Sequence, residues 1–166
     1  MAIIRPEQTS DVYAIRAIHT SSFPSAGEAR LVDALRLAGK LSVSFVAEDN
    51  GEIIGHVAFS PVSVRFDSNG VGLGPIAVAD PHRNHGIAAT LVRVGLAACR
   101  EAGYGWVVVL GEPSYYSRFG FSPAMQWGLS DEYGGGLAFQ VIELVAGQLP
   151  LNAGVVRYAQ EFSQLE

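Results

Sequence analysis

Cysteine is nearly absent from this sequence. The 166 residues contain one, Cys99, which excludes an intramolecular disulfide framework and a Cys-x-x-Cys metal knuckle. Its setting, Leu96-Ala97-Ala98-Cys99-Arg100, reads as helix, so a buried structural thiol is expected. Charge is scarce too: 16% of residues are charged, 11 basic against 16 acidic, for a formal net charge of −5. A chain this poor in Lys and Arg cannot neutralise a run of phosphates, which argues against DNA or RNA as the main partner. A local basic patch can still hold a phosphorylated cofactor. No apolar run approaches the ~18 residues of a membrane span. The start, Met1-Ala2-Ile3-Ile4-Arg5-Pro6, lacks the apolar stretch and cleavage signal of a secretory peptide. There is no internal repeat, charge block or Ser/Pro-rich linker. These absences predict a soluble cytoplasmic protein.

What is present is an apolar chain, 49% hydrophobic, which excludes intrinsic disorder. With so little charge, its elements are covered on both faces or meet in an oligomer. At ~150 residues per domain, residues 1–166 make one domain. Ile3-Ile4-Arg5 reads as a first strand ended by Pro6. Asp11 to Thr20 reads as a helix capped by Ser10 or Thr9. Ser25-Ala26-Gly27-Glu28 has capping-box spacing and opens a second helix, closed by Gly39. Leu41 to Glu48 and Glu52 to Ser60 read as strands joined by Asn50-Gly51, a hairpin signal because both central residues need positive φ. A third strand is expected at Ser63 to Phe66. The turn Asp67-Ser68-Asn69-Gly70 then leads into Val71 to Val78, a strand interrupted by Gly72, Gly74 and Pro75.

Ile87 to Ala102 is the clearest helix, with Ile87, Leu91, Val94 and Ala98 at helical spacing and Gly103 as its stop. Trp106 to Leu110 reads as a strand buried on both faces. Pro113 to Phe119 reads as a short helix. Strands are expected again at Ala138 to Leu144 and Gly154 to Tyr158. The order predicts an α/β fold with a mixed sheet.

The most informative stretch is Val78-Ala79-Asp80-Pro81-His82-Arg83-Asn84-His85-Gly86-Ile87-Ala88-Ala89-Thr90-Leu91. A strand ends, a polar loop follows and a long helix begins near Gly86. A helix start offers free backbone N–H groups and the positive end of the dipole, which suits an anion. Gly86 and Ala88 are small enough to let a phosphate reach the main chain, and Arg83 and His85 add donors. The same residues also make an ordinary strand-to-helix connection. The order is not that of a Rossmann Gly-x-Gly-x-x-Gly, and no Walker Gly-Lys-Ser/Thr occurs.

Arg83-Asn84-His85-Gly86-Ile87-Ala88 resembles the Arg/Gln-x-x-Gly-x-Gly/Ala signature of the GNAT superfamily of acyl-CoA-dependent N-acyltransferases. Val46-Ala47-Glu48, Ile54-Gly55-His56 and Gly72-Leu73-Gly74-Pro75-Ile76-Ala77-Val78 resemble its strands. Leu110-Gly111-Glu112-Pro113-Ser114-Tyr115-Tyr116-Ser117-Arg118-Phe119-Gly120-Phe121 resembles the late motif of a bacterial branch of predicted acetyltransferases, in which Asp usually stands at the place of Glu112. The closing Gly154-Val155-Val156-Arg157-Tyr158, with Phe162 after it, also fits. The resemblance covers essentially the whole chain.

The resemblance implies a GNAT fold: a mixed central sheet flanked by helices, whose fourth and fifth strands splay apart around the acyl-CoA arm. Acetyl-CoA is then the co-substrate, with no metal. The backbone of Ile76, Ala77 and Val78 pairs with the pantetheine amides, and the N–H near Ile76 faces the developing oxyanion. Arg83, Asn84, His85, Gly86, Ile87 and Ala88 hold the pyrophosphate. Tyr116 stands four residues before Gly120, where the superfamily often places its general acid. A phenol of pKa ~10 can protonate a departing thiolate of pKa ~8.5 or somewhat higher. Tyr115 and Tyr116 also read as packing aromatics of a short helix, and Tyr115 is left in that role.

The base is open: a carboxylate, a His or a water chain can accept the amine proton. Glu112 ends the fifth strand near the expected thioester and is the candidate. Glu28 reads as a capping residue, His56 as a satisfied core histidine and His19 as a surface residue. His82 and His85 make a weak metal pair. The reaction expected is direct attack of a primary amine, on a small molecule or a peptide, on acetyl-CoA. Two rivals remain: an acyl-CoA-sensing module with little catalysis, and an enzyme using longer acyl donors. Ser21 to Leu37 and Gly128 to Leu137 are where the superfamily binds its acceptor, and Gly134-Gly135-Gly136 suggests a mobile loop there. A homodimer is common in the superfamily.

Overall fold

The Asn50-Gly51 turn forms as its dipeptide demands, with φ of 52° and 80°. It joins β2 (Val43–Asp49) to β3 (Glu52–Val64) in antiparallel register, Asp49 opposite Glu52 and Val43 opposite Phe59. A computed structural model describes residues 2–165. The other elements are β1 (Ile3–Pro6), α1 (Val12–Ser22), α2 (Gly27–Leu37), β4 (Asp67–Val78), α3 (Ile87–Glu101), β5 (Trp106–Leu110), α4 (Pro113–Tyr116), β6 (Ser122–Pro123), β7 (Leu129–Asp131), β8 (Phe139–Glu143) and β9 (Gly154–Tyr158). Among the described residues no helix is long and apolar enough to cross a membrane.

The chain divides into two compact units. The first comprises Met1–Phe59, Gly74–Gly95 and Gln160–Glu166. In it β1 pairs antiparallel with β2, which pairs with β3. Strand alternation sends neighbouring residues to opposite faces. Gly55 meets α3, because a β-carbon there would lie 3.1 Å from Leu91 Cδ1. Val46, opposite His56, packs on the other face with Ile15 of α1 and Val32 of α2.

The second unit comprises Ser60–Leu73 and Leu96–Ala159. Gly70, Val71 and Gly72 of β4 pair parallel with Trp106, Val107 and Val108 of β5. The whole of β5 pairs antiparallel with β8. β9 pairs with Val62 and Ser63 of β3 and runs parallel to β7. Val62, Val64, Trp106, Val108, Phe139, Val141 and Val156 form its apolar core with their neighbours.

Several expectations need correction. Ser63 to Phe66 is not a separate strand, since β3 runs through Pro61 to Val64 and the chain reverses at Arg65 and Phe66, with Arg65 at φ 49°. Asp67 therefore starts β4 instead of a turn, and its carboxylate accepts from the Trp106 indole at 3.1 Å. Neither Ser10 nor Thr9 caps α1: Thr9–Asp11 is a 3-10 turn and Asp11 is the N-cap, its carboxylate taken by the Gln8 N–H and Arg5. The Ser25–Glu28 capping box does not form, because α2 starts one turn position later, with Ala26 at the N-cap. The buried stripe of α3 is Leu91, Val92, Leu96 and Cys99, rotated from the expected one. Cys99 is buried and its thiol is pushed up to about 12 by desolvation, an inert structural thiol. β6 and β7, two and three residues long, carry too little pattern to read in sequence.

Candidate functional site

The loop after β4 is shaped by two left-handed residues. Asn84 has φ 65° and Gly86 has φ 79°. A β-carbon on Gly86 would meet nothing within 4 Å, so glycine is there for its backbone and not for space. α3 begins at the next residue. The N–H of Thr90 reaches the Gly86 carbonyl at 3.0 Å. The amides of Ile87, Ala88 and Ala89 precede the first such bond and find no acceptor among the described residues. They project from the positive end of a 15-residue helix.

Two basic side chains of this loop are exposed but bond back to main-chain carbonyls. Arg83 Nε donates to the Val78 carbonyl at 2.9 Å, and Nη1 to Asp80 at 3.1 Å. Arg83 thereby ties the loop to the end of β4. His85 Nδ1 lies 3.3 Å from the His82 carbonyl. Upstream, Gly74 has φ 136° and precedes Pro75. Ile76 is half-buried, Ala77 and Val78 are buried, and all three lie beyond the stretch of β4 that pairs with β5.

The second candidate segment follows β5. Pro113 takes the first helical position of α4 and Glu112 the N-cap, as proline's fixed φ and missing N–H favour. The amides of Tyr115 and Tyr116 donate to the Glu112 carbonyl at 3.0 and 3.1 Å. The exposed Glu112 carboxylate accepts from Ser114 Oγ at 3.3 Å. Tyr116 is buried, and its ring meets Tyr115 and Phe121 edge to face at 5.1 and 5.8 Å. A β-carbon at Gly111 would run into that ring. Burial, with a smaller push from Tyr115, raises the Tyr116 phenol to about 12. Its hydroxyl makes no hydrogen bond to another described residue. Tyr115 is half-buried and lies under Arg118, whose guanidinium carbon is 4.2 Å from the ring centroid. That contact and the bond from Arg118 Nε to the Tyr115 carbonyl mark Tyr115 as a packing residue.

Two features were not foreseen. His19 is not a surface residue: it is fully buried, and its Nε2 lies 2.8 Å from Nδ1 of His56. His56 Nε2 continues to Ser44 Oγ at 2.8 Å, and Ser44 donates to Glu7 at 2.7 Å. Arg36 closes the group with bonds to both Glu7 oxygens. Desolvation lowers the His19 pKa to about 3, helped by His56 and Arg36, and lowers that of His56. Burial alone would raise Glu7, but the donors of His56, Arg36 and Ser44 hold it far below the usual carboxylate range. Alternation did place His56 inward; nothing local marks His19, whose burial is set by tertiary packing. The other feature is Asp131, which accepts from the amides of Tyr133 at 3.2 Å and Gly135 at 2.7 Å. The Gly134–Gly136 loop is thus tied by a buried carboxylate rather than left free. No group of three or more His, Cys, Asp or Glu among the described residues is placed to hold a metal ion.

Residues 3–124 match the family described as the acetyltransferase (GNAT) domain. The chain belongs to this family. It is 42% identical over 165 residues to the uncharacterized N-acetyltransferase YhbS of Escherichia coli K12, covering 98% of this chain and 99% of that protein. The crystal structure of the E. coli GNAT family N-acetyltransferase YhbS in complex with CoA superposes with a TM-score of 0.93, covering 98% of this chain and 92% of that one. A GNAT family acetyltransferase from Brucella melitensis, crystallised in complex with acetyl-CoA, is 34% identical with a TM-score of 0.82, covering 98% of both chains. These structures establish the GNAT fold for this chain, as its motifs imply. This is an acetyltransferase fold in which the turn before α3 and the segment after β5 are the places to look for chemistry.

Proposed function

We propose that residues 1–166 form one N-acetyltransferase domain that moves an acetyl group from acetyl-CoA to a primary amine by direct attack. The observation that carries this reading is the start of α3, where three unspent amides follow a left-handed glycine, in a chain whose relatives are crystallised with CoA and acetyl-CoA. Arg83, Asn84, His85, Gly86, Ile87 and Ala88 hold the pyrophosphate, mainly through the main chain. Ile76, Ala77 and Val78 offer their backbone to the pantetheine amides, and the N–H near Ile76 stabilises the oxyanion. The buried Cys99 leaves no activated thiol, which agrees with transfer in a single step rather than through an acyl-enzyme.

An amine arrives as an ammonium of pKa ~10 and must lose a proton before it attacks. Glu112, exposed at the start of α4, receives that proton directly or through water. Tyr116 assists the other end of the reaction. Its phenol, near 12, is fully protonated at neutral pH. Giving that proton outright to a thiolate of pKa ~8.5 is uphill, so its contribution is a hydrogen bond that strengthens as sulfur gains charge. The acceptor is a small molecule or peptide; the acidic chain, at −5, favours cationic amines over phosphorylated ones.

The test is thiol release from acetyl-CoA against a panel of polyamines, aminoglycosides, amino acids and peptide N-termini, with product mass measured. An amine-dependent thiol and a product heavier by one acetyl group are expected. Tight acetyl-CoA binding with no turnover on any amine would make the protein a sensor. Faster turnover with longer acyl donors would make acetyl the wrong group.

A further inference from the structure

Gln140 is a fully buried polar side chain to which acetyl transfer as derived so far gives no part. It stands in the middle of β8, opposite Val109 of β5 and Pro123 of β6. Its neighbours Phe139 and Val141 belong to the apolar core of the second unit, so alternation turns Gln140 to the other face. A buried carboxamide is costly unless its donors are taken. Here both hydrogens of Nε2 have carbonyls to meet, Gly111 at 3.3 Å and Ala138 at 3.4 Å. The two carbonyls fix the orientation of the amide, because its oxygen would repel both. The Ala138 carbonyl also accepts from the Gly111 N–H at 3.0 Å. Both polar groups of Gly111 are thus held from the β8 side, one by main chain and one by Gln140.

Gly111 immediately precedes Glu112, the N-cap of α4. It is also the seat of the Tyr116 ring. A β-carbon on Gly111 would run into Cε2 of that ring and lie 3.4 Å from Cζ, the carbon that bears the hydroxyl. The phenol end of Tyr116 therefore rests on the Gly111 backbone. Tyr115, Phe119 and Phe121 pack around the same ring, but ring–ring contacts tolerate centroid separations from about 4.5 to 7 Å. The hydrogen-bonded Gly111 peptide is the directional restraint at the hydroxyl end.

We propose that Gln140 is a positioning residue for acetyl transfer: its carboxamide clamps the Gly111 peptide and so sets where the Tyr116 hydroxyl stands. The proposal rests on the role of Tyr116 argued above. A hydrogen bond to developing charge depends on placement, and an error of ~1 Å can cost ~10²-fold in rate.

Gln140→Met keeps the length of the side chain and removes both donors. With the best amine of the panel, kcat is expected to fall about tenfold, with the KM for acetyl-CoA unchanged and the melting temperature lower by only a few degrees. The same substitution in a Tyr116→Phe background decides the route. With the hydroxyl gone there is nothing left to position, so no further loss of kcat is expected. A folded Gln140→Met with wild-type kcat overturns the proposal, and so does an equal loss in both backgrounds. Should Gln140→Met not fold, Gln140→Asn, one methylene shorter, must lose kcat in the same background-dependent way; wild-type kcat there overturns it. Amide hydrogen exchange needs no turnover. The Tyr115 and Tyr116 amides, bonded to the Glu112 carbonyl, are expected to exchange faster in Gln140→Met than in wild type. Wild-type exchange rates overturn the clamp even if amine acetylation stands. If no amine is acetylated, the functional reading fails while the exchange rates still decide whether Gln140 holds the junction.

Discussion

Twice in this molecule a strand ends and a helix begins at a candidate site, and the two junctions spend their polar groups in opposite ways. After β4, the left-handed Asn84 and Gly86 leave three amides unspent, while Arg83 bonds back to the last carbonyl of β4 and His85 lies against the loop's His82 carbonyl. After β5, Pro113 has no N–H and the amides of Tyr115 and Tyr116 are consumed by the Glu112 carbonyl. What is left there is side chain: one carboxylate and one buried phenol. The first junction is a main-chain device suited to holding a phosphate. The second is a side-chain device suited to moving protons. Damage to the first should appear in binding, and damage to the second in turnover.

The largest effect should come from Gly86→Asp. A carboxylate on the phosphate position opposes the ligand by about 4 kcal/mol for unit charges ~4 Å apart in a surface-like dielectric, roughly a thousandfold in affinity. Gly86→Asn sharpens the reading, because it carries the same left-handed strain without the charge and should lose only about fivefold. Calorimetric titration with acetyl-CoA separates them; equal losses would assign the effect to the backbone alone.

Next comes Tyr116→Phe, which removes a hydroxyl and keeps the ring against Tyr115 and Phe121. A kcat lower by ~10²–10³ is expected, the usual loss when one hydrogen-bond donor to developing charge is removed, with little change in the KM for acetyl-CoA or in the melting temperature. Tyr115→Phe keeps the ring under Arg118 and should be nearly silent. The reverse pattern in steady-state kinetics would move the acid by one residue.

Glu112→Gln should cost about tenfold in rate at low pH and less as pH rises, because the amine then arrives neutral. A loss constant across a pH–rate profile would remove Glu112 as the base. The last effect is on stability and is spread over several pH units. His19 titrates at about 3 in the fold against 6.5 free, so the unfolded chain binds the extra proton between those values. Stability should fall as pH drops below 6.5, by up to about 1.4 kcal/mol per unit. Glu7, held low in the fold, adds a loss below 4.5. Denaturant melts of wild type and His19→Asn check this: the variant should show the shallower slope.

The β4 junction was legible as a strand, a polar loop and a helix start near Gly86, but Gly86 was read for its small size, whereas Asn84 and Gly86 serve there through the positive φ that few residues adopt. At the Asn50-Gly51 hairpin the positive φ itself was legible. Tyr116 was visible only through a family motif, since an isolated Tyr-Tyr pair does not say which ring is buried. The His19–His56 pair was not legible: its members stand 37 residues apart, and α1 could as well have turned His19 outward. β3 was read as two strands, Glu52 to Ser60 and Ser63 to Phe66, and it runs unbroken through Pro61 to Val64. Long-range packing set these outcomes, and local propensity carries no trace of it.

The division of labour between the two junctions is tested most directly by titrating acetyl-CoA into Tyr116→Phe beside Gly86→Asp, under one set of conditions. Tyr116→Phe should bind with wild-type affinity, and Gly86→Asp should show no measurable heat. Normal binding by Gly86→Asp together with lost binding in Tyr116→Phe would contradict the account.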